Sequence, residues 1–257
     1  MSDAPVVIIT GATSGIGRAT AVEMAKRKWR LVLTGRKAEA MNEVVEEAKK
    51  AGAADVSYIL GSLNNLATPK KIVDHAISTF GQINSLVNNA GILVAGGLDQ
   101  VRDDLVDYEQ QMDTNVKAVI RLTRAALPHL IKTKGTVVNV SSICGTHAFS
   151  GILYYCMSKA ALDQFTKCVA LELAPKGVRV NSVNPGVILT EFQRRGGFTD
   201  DQYQEFLKKG EQQHPLGRVG RPEETAKAIA FLATDESSFT TGDLLKVDGG
   251  RALMGPS

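Results

Sequence analysis

Short apolar runs alternate with longer stretches of helical periodicity along most of the chain. Residues 6–10 (VVIIT) are apolar without alternation, which suits a strand buried on both faces. Residues 15–28 place apolar positions at helical spacing, and 30–34 read as a second strand. A charged amphipathic helix at 37–50 leads to a strand at 56–60, a helix at 69–80 and a short strand at 85–88. One long helix is predicted from about 105 to 130, then a β-branched strand at 136–140 (TVVNV). A helix at 153–174 precedes a strand at 178–183; beyond Pro185 the pattern loosens until a helix at 222–233 and a last strand at 244–247. Pro222 in a first helical turn and Gly177 just past a helix end stand where those residues are favoured.

Seven strands separated by helices imply an α/β chain: a Rossmann-type, doubly wound three-layer sandwich, its seven-stranded parallel sheet covered by helices on both faces. With no internal repeat, low-complexity linker or break in composition, residues 1–257 read as a single domain. The composition, 44% apolar and 22% charged with a net charge of +3, narrows the partners further. Basic and acidic residues are interspersed, so no nucleic-acid footprint is expected. No apolar run has membrane-spanning length, and a first strand at Val6 leaves no room for a targeting segment. Cys144, Cys156 and Cys168 lack disulfide or metal-ligand spacing, and His75, His129, His147 and His214 are scattered. A cytoplasmic protein without a metal is the expectation.

Chemistry concentrates in residues 141–159 (SSICGTHAFSGILYYCMSK), a strand end, a loop and the first turns of a helix. Tyr155 and Lys159 share one helix face, a turn apart. An ammonium beside a phenol favours the phenolate, but bringing a tyrosine near neutrality takes roughly three units, about 4 kcal/mol. A second positive charge is therefore expected, and an oxidised nicotinamide would provide one. Taken alone, the pair fits an ordinary amphipathic face better than a site.

The turn TGATSGIG at 10–17 follows the first strand and opens the first helix. Gly11 permits the tight turn, Gly15 a close approach to a pyrophosphate and Gly17 tight helix–strand packing. Thr13, Ser14 and Ile16 complete a cradle in which phosphates meet the positive helix end. Its spacing is Gly-x-x-x-Gly-x-Gly. Together with NNAG at 88–91, Asn115, Ser142, Tyr155, Lys159 and PGVILT at 185–190, this turn resembles the short-chain dehydrogenase/reductase family. The resemblance covers essentially the whole chain and is closest to invertebrate proteins labelled 3-oxoacyl-acyl-carrier-protein reductase-like.

The resemblance implies roles residue by residue. Tyr155 would be general acid in carbonyl reduction and base in alcohol oxidation. Ser142 would hydrogen-bond the substrate oxygen, and Lys159 would tune Tyr155 and bind the nicotinamide ribose. Asn115 would hold a water leading from Lys159 to solvent; it reads equally as a buried amide satisfying local backbone, and a local helix break would serve both. Asn88, Ala90 and Gly91 would line the adenosine ribose, and Pro185, Gly186, Val187, Ile188 and Thr190 the nicotinamide. Ser62 and Leu63 would meet the adenine, although Ser62 stands where relatives commonly carry an aspartate.

At the end of the second strand Gly35 stands where an acid would bind an adenosine 2′-hydroxyl, and Arg36 follows. A free guanidinium without that acid favours NADP(H) over NAD(H), with a solvated Arg36 as the alternative. Residues 187–215 are expected to form a lid. There Phe192, Phe198, Tyr203 and Phe206, with His147, Ile152 and Tyr154, would make an apolar pocket for a hydrophobic ketone or secondary alcohol, or else anchor the loop. The same aromatics suit a steroid-like, isoprenoid or acyl substrate. Arg194 and Arg195 are candidates for meeting an acidic carrier, and Cys144 and Cys156 for thiol sensitivity. Three functions follow: a carbonyl reductase or alcohol dehydrogenase, a 3-oxoacyl-acyl-carrier-protein reductase, or a silent cofactor-binding scaffold. A homotetramer is expected, with Ala161, Phe165, Cys168 and Leu171 of the 153–174 helix as spare apolar surface.

Overall fold

The computed structural model describes residues 3–100 and 104–254. Its seven strands are β1 (Val6–Ile9), β2 (Arg30–Gly35), β3 (Asp55–Leu60), β4 (Ser85–Asn88), β5 (Thr136–Val140), β6 (Arg179–Pro185) and β7 (Leu244–Val247). They form one parallel sheet in the order β3-β2-β1-β4-β5-β6-β7. The expected fold class is therefore correct. Strand alternation feeds a core on each face: Val7 and Ile9 point into one, Val6 and Ile8 into the other. That is why the first strand reads as an unbroken apolar run.

The first core lies under α1 (Gly15–Lys26), α2 (Ala38–Ala51) and α9 (Pro222–Ala233). The second lies under α3 (Thr68–Phe80), α5 (Ala118–Thr133) and α6 (Leu153–Leu173). Helix α2 shows the logic locally: Met41, Val44, Val45 and Ala48 recur at helical spacing and are its buried residues. Gly52 then closes it in the left-handed conformation, φ +102°.

Two elements differ from the sequence reading. The helix expected at 105–130 is α4 (Val106–Met112), a π-helical turn at Asp113–Lys117 and then α5, so the backbone is locally widened around Asn115. Within 187–215 there are two helices, α7 (Phe192–Arg195) and α8 (Asp200–Gln213). Thr199 and Gln202 cap α8 reciprocally, and Pro215 follows its end. Connections reverse direction between β1 and β4, and at the carboxyl end of this switch point a crevice of about 360 Å³ opens.

Candidate active site

The floor of the crevice is built by the β1–α1 turn. The Thr10 hydroxyl accepts from the backbone N–H of Asn89 (2.9 Å) and Ala90 (3.0 Å), pinning the end of β4 to the end of β1. Gly11, at φ +63°, passes so close that a Cβ would lie 2.9 Å from the Ala90 Cα. At Gly17 a Cβ would sit 2.3 Å from the Gly11 carbonyl oxygen, so Gly17 supports the turn from behind and does not line the crevice. Gly11, Thr13, Ser14, Gly15 and Ile16 do line it. Ser14 begins α1 without a side-chain cap, and the first turn carries no acid, which leaves uncapped N–H groups and the positive helix end for an anion. These features fit a dinucleotide diphosphate.

Beyond the turn, Gly35, Arg36, Ser62 and Leu63 line the far end. A Cβ on Gly35 would lie 2.5 Å from Thr13 Cγ2, so the packing itself excludes an acid there. Arg36 is exposed and, among the described residues, has no ion-pair partner. Asn88 requires a correction. It is buried, donating to Thr123 Oγ1 (3.1 Å) and Asn139 Oδ1 (2.9 Å), because the final β4 residue turns into the core. Its neighbour Asn89 faces the crevice instead, with Ala90 and Gly91.

At the opposite wall, β5 delivers Ser142 and α6 delivers Tyr155 and Lys159, all three buried and all lining the crevice. The Lys159 ammonium donates to the Val140 carbonyl at 2.9 Å and lies 5.5 Å from the Tyr155 ring centroid. Asn184, buried in β6, donates to both the Ser142 carbonyl and Asp163 Oδ2 at 2.9 Å, fixing the loop that carries Ser142 from below. Asn115 lies next to Gly91: a Cβ there would lie 3.3 Å from Asn115 Oδ1 and 3.6 Å from Lys159 Nζ. Asn115 does not line the crevice; its amide exchanges 2.9 Å bonds with the Ile92 backbone and donates to Ser158 Oγ.

The expected acidic phenol is not a property of the protein alone. Burial pushes Tyr155 well above its ordinary value, while the Ser142 hydroxyl within hydrogen-bonding reach pulls the other way. Burial likewise lowers Lys159 from 10.5 to about 8, against the opposing pull of Asp163. Between these values the unfolded chain binds more protons than the folded one, so stability rises with pH across that window. Lys159→Met removes this ionisation. In urea unfolding, wild type should gain on this variant from pH 8 to 10, by at most about 1.4 kcal/mol per pH unit. A difference that stays flat or shrinks would rule out a desolvated ammonium.

The end of the crevice next to Tyr155 is roofed by the 187–215 segment. Phe192, Phe198 and Phe206 line it with Ile152, and the Phe192 ring lies 6.0 Å from that of Tyr155. Tyr203, Tyr154 and His147 are directed elsewhere. Tyr203 donates to the Thr190 carbonyl (2.9 Å), Tyr154 packs edge-on against Tyr108 and His147 bonds Thr146. None of the three lines the crevice; Tyr203 and Tyr154 act as anchors. Pro185, Gly186, Val187, Ile188 and Thr190 line the crevice, and buried His214 accepts from the Val187 N–H at 3.2 Å. Arg194 pairs with Glu191 and Asp200, so it is not free for a carrier. Arg195 reaches from α7 to donate to Ser14 Oγ at 2.6 Å, tying the 187–215 segment to the glycine-rich turn. Cys144 lines the crevice beside Cys156, whose thiol is held below its ordinary value by the hydrogen bond with that neighbour. Asn89, Phe149, Asn184, His214 and Arg251 were not singled out from sequence as site residues, and Arg195 was expected at an acidic carrier, not at the glycine-rich turn. Only Asn89 carried a local signal, inside NNAG.

Among the described residues, no helix is long and apolar enough to cross a membrane. Comparison with known proteins agrees with this geometry. A family model described as enoyl-(acyl carrier protein) reductase, of the short-chain dehydrogenase type, matches residues 11–252. A 3-oxoacyl-acyl-carrier-protein reductase of Thermotoga maritima is 35% identical over 249 residues, covering 96% of this chain and 98% of its own. A meso-2,3-butanediol dehydrogenase of Serratia marcescens is 35% identical over 248 residues, covering 96% and 94%. A crystal structure of a Caenorhabditis elegans short-chain dehydrogenase/reductase of unknown function, with cofactor, superposes with a TM-score of 0.92 at 36% identity, covering 98% of this chain and 96% of that one.

Proposed function

The chain belongs to the short-chain dehydrogenase/reductase family of oxidoreductases, and on that premise we propose that it is an NADP(H)-dependent enzyme interconverting a ketone and a secondary alcohol. One observation carries the reading: Ser142, Tyr155 and Lys159 converge on a crevice that begins at the glycine-rich turn. When bound, the nicotinamide cofactor supplies the hydride in reduction or accepts it in oxidation. Gly11, Thr13, Ser14, Gly15 and Ile16 would hold its diphosphate, Ala90 and Gly91 the adenosine ribose, and Lys159 the nicotinamide ribose. Thr190 and the 185–188 turn would hold the carboxamide end, with Leu63 and Ser62 against the adenine.

In reduction, the Tyr155 hydroxyl gives its proton to the carbonyl oxygen while the carbonyl carbon takes up the hydride, so one ketone yields one secondary alcohol. Ser142 Oγ hydrogen-bonds the same oxygen as negative charge develops there. A phenol held protonated by burial suits this direction. In oxidation the phenolate must form, and Lys159 lies close enough to favour it once a second positive charge arrives. Arg36 and the closed-off Gly35 support NADP(H). The aromatic lid supports a largely apolar substrate, and exposed Leu171 on α6 supports a homotetramer.

The test is a screen of ketones and secondary alcohols against NADPH and NADH, followed by nicotinamide absorbance. Turnover of free ketones with NADPH is expected. Turnover confined to acyl-carrier thioesters would instead support the 3-oxoacyl reductase reading, and no turnover of either class would favour a silent scaffold.

A further inference from the structure

The crevice has an uneven charge inventory. Among the described residues its lining contains four cations, Arg36, Lys159, Arg195 and Arg251, and no carboxylate. Two have places in the cofactor reading above, Arg36 at the adenosine end and Lys159 at the nicotinamide ribose, and a third, Arg195, is engaged by Ser14 of the glycine-rich turn. Arg251 remains. It follows β7 and enters from the catalytic end, its guanidinium 5.1 Å from the centroid of the Phe149 ring, in the loop between Ser142 and Tyr155.

Arg251 is half-buried and, among the described residues, forms no ion pair. The side chains holding it are Phe149 and the Gln213 carbonyl oxygen, both uncharged. Asp248 exerts a coulombic pull on it but makes no ion pair with it among the described residues. Its oxygens accept instead from the backbone N–H of Gly250 (3.0 Å) and Ala252 (2.8 Å). Burial pulls the guanidinium below its ordinary value, but an arginine keeps its charge throughout the physiological range. A partly desolvated cation without a counter-ion is costly unless a ligand supplies one. With Nη1 on Gln213 and the ring beneath it, the guanidinium keeps its Nε and Nη2 N–H groups for a planar, bidentate anion, which is the geometry of a carboxylate.

We propose that Arg251 is the subsite for a carboxylate carried by the substrate, so that the enzyme acts on oxo-acids or hydroxy-acids whose hydrocarbon body lies against the aromatic lid. This rests on the carbonyl-reductase reading and refines its substrate from a hydrophobic ketone to an amphipathic one. Arg251 would touch the substrate away from the reacting carbon, so it affects binding more than chemistry.

The experiment uses straight-chain oxo-acids of graded length, each beside its primary amide, with the NADPH-loaded enzyme. For the best acid, kcat/KM should exceed that of its amide at least tenfold. Arg251→Gln should lower the acid's kcat/KM by about 10- to 100-fold, mostly through KM, and the amide's by less than about twofold. Arg251→Lys should recover part of the loss. Equal turnover of acid and amide by wild type would overturn the proposal while leaving the reductase reading intact. Binding of hexanoate against hexanamide, read by calorimetry on cofactor-loaded protein, provides a measure independent of turnover. Tighter hexanoate binding that Arg251→Gln removes supports the subsite even if no ketone is reduced, and indifference to charge overturns it. Arg251-dependent turnover of pantetheine-phosphate thioesters, with none of the oxo-acids, would also overturn it in favour of a phosphate-bearing carrier.

Discussion

Tyr155→Phe should lower turnover with any accepted ketone by about 10²- to 10⁴-fold, the usual contribution of a positioned general acid. The phenylalanine keeps the ring and its contact with Phe192, 6.0 Å between centroids, and loses only the hydroxyl that faces Ser142. Cofactor affinity should therefore stay within about threefold of wild type, since the phosphate cradle and Arg36 lie at the other end of the crevice. Fluorescence titration of NADPH beside steady-state kinetics separates the two quantities. If turnover survives the substitution, Tyr155 is not the proton donor. If cofactor affinity falls as steeply as turnover, the tyrosine is holding the fold of the site together. Retention of a cellular role by the inactive variant would instead point to a scaffold.

The second large effect is expected at Arg36. The guanidinium is exposed and uncommitted, and nothing acidic stands at Gly35 to repel a phosphate. A hydrogen-bonded contact to a charged group contributes about 1.5–3 kcal/mol, or roughly 10- to 150-fold in affinity. Arg36→Ala should raise the KM for NADPH by that factor and leave the KM for NADH within about twofold. Because the site is open to solvent, the NADPH penalty should shrink in high salt. Equal effects on both cofactors would remove Arg36 from 2′-phosphate recognition and with it the preference for NADP(H).

Much of this was legible along the chain because parallel strands buried on both faces leave unbroken apolar runs, and β1 is a plain case. The β1–α1 turn was legible for a steric reason: a Cβ at Gly11 or Gly17 collides with backbone. What stayed hidden depended on long-range packing. The π-turn at Asp113–Lys117 changes the helical period too briefly for a periodicity reading to register, although an asparagine in mid-helix was a warning. Helix α8 buries little beyond Tyr203 and Gly210, so it shows almost no apolar stripe; its Thr199–Gln202 cap was the available signal. Asn88 and Asn89 look alike in sequence, yet strand alternation sends the first into the core and leaves the second for the crevice. Spacing brought Tyr155 and Lys159 together but carried no information on their depth, and depth is what raises one pKa and lowers the other. Arg251 lies far along the chain from Phe149, and only the folded sheet sets them in contact.

A crystal structure with NADP(H) bound tests the central claim most directly. The account predicts the diphosphate on the Gly11–Gly17 turn, the 2′-phosphate at Arg36, Lys159 on the nicotinamide ribose, and the Tyr155 hydroxyl with Ser142 Oγ facing the reactive carbon of the ring. A nicotinamide held away from Tyr155, or a Lys159 side chain turned out into solvent with the cofactor in place, would contradict it.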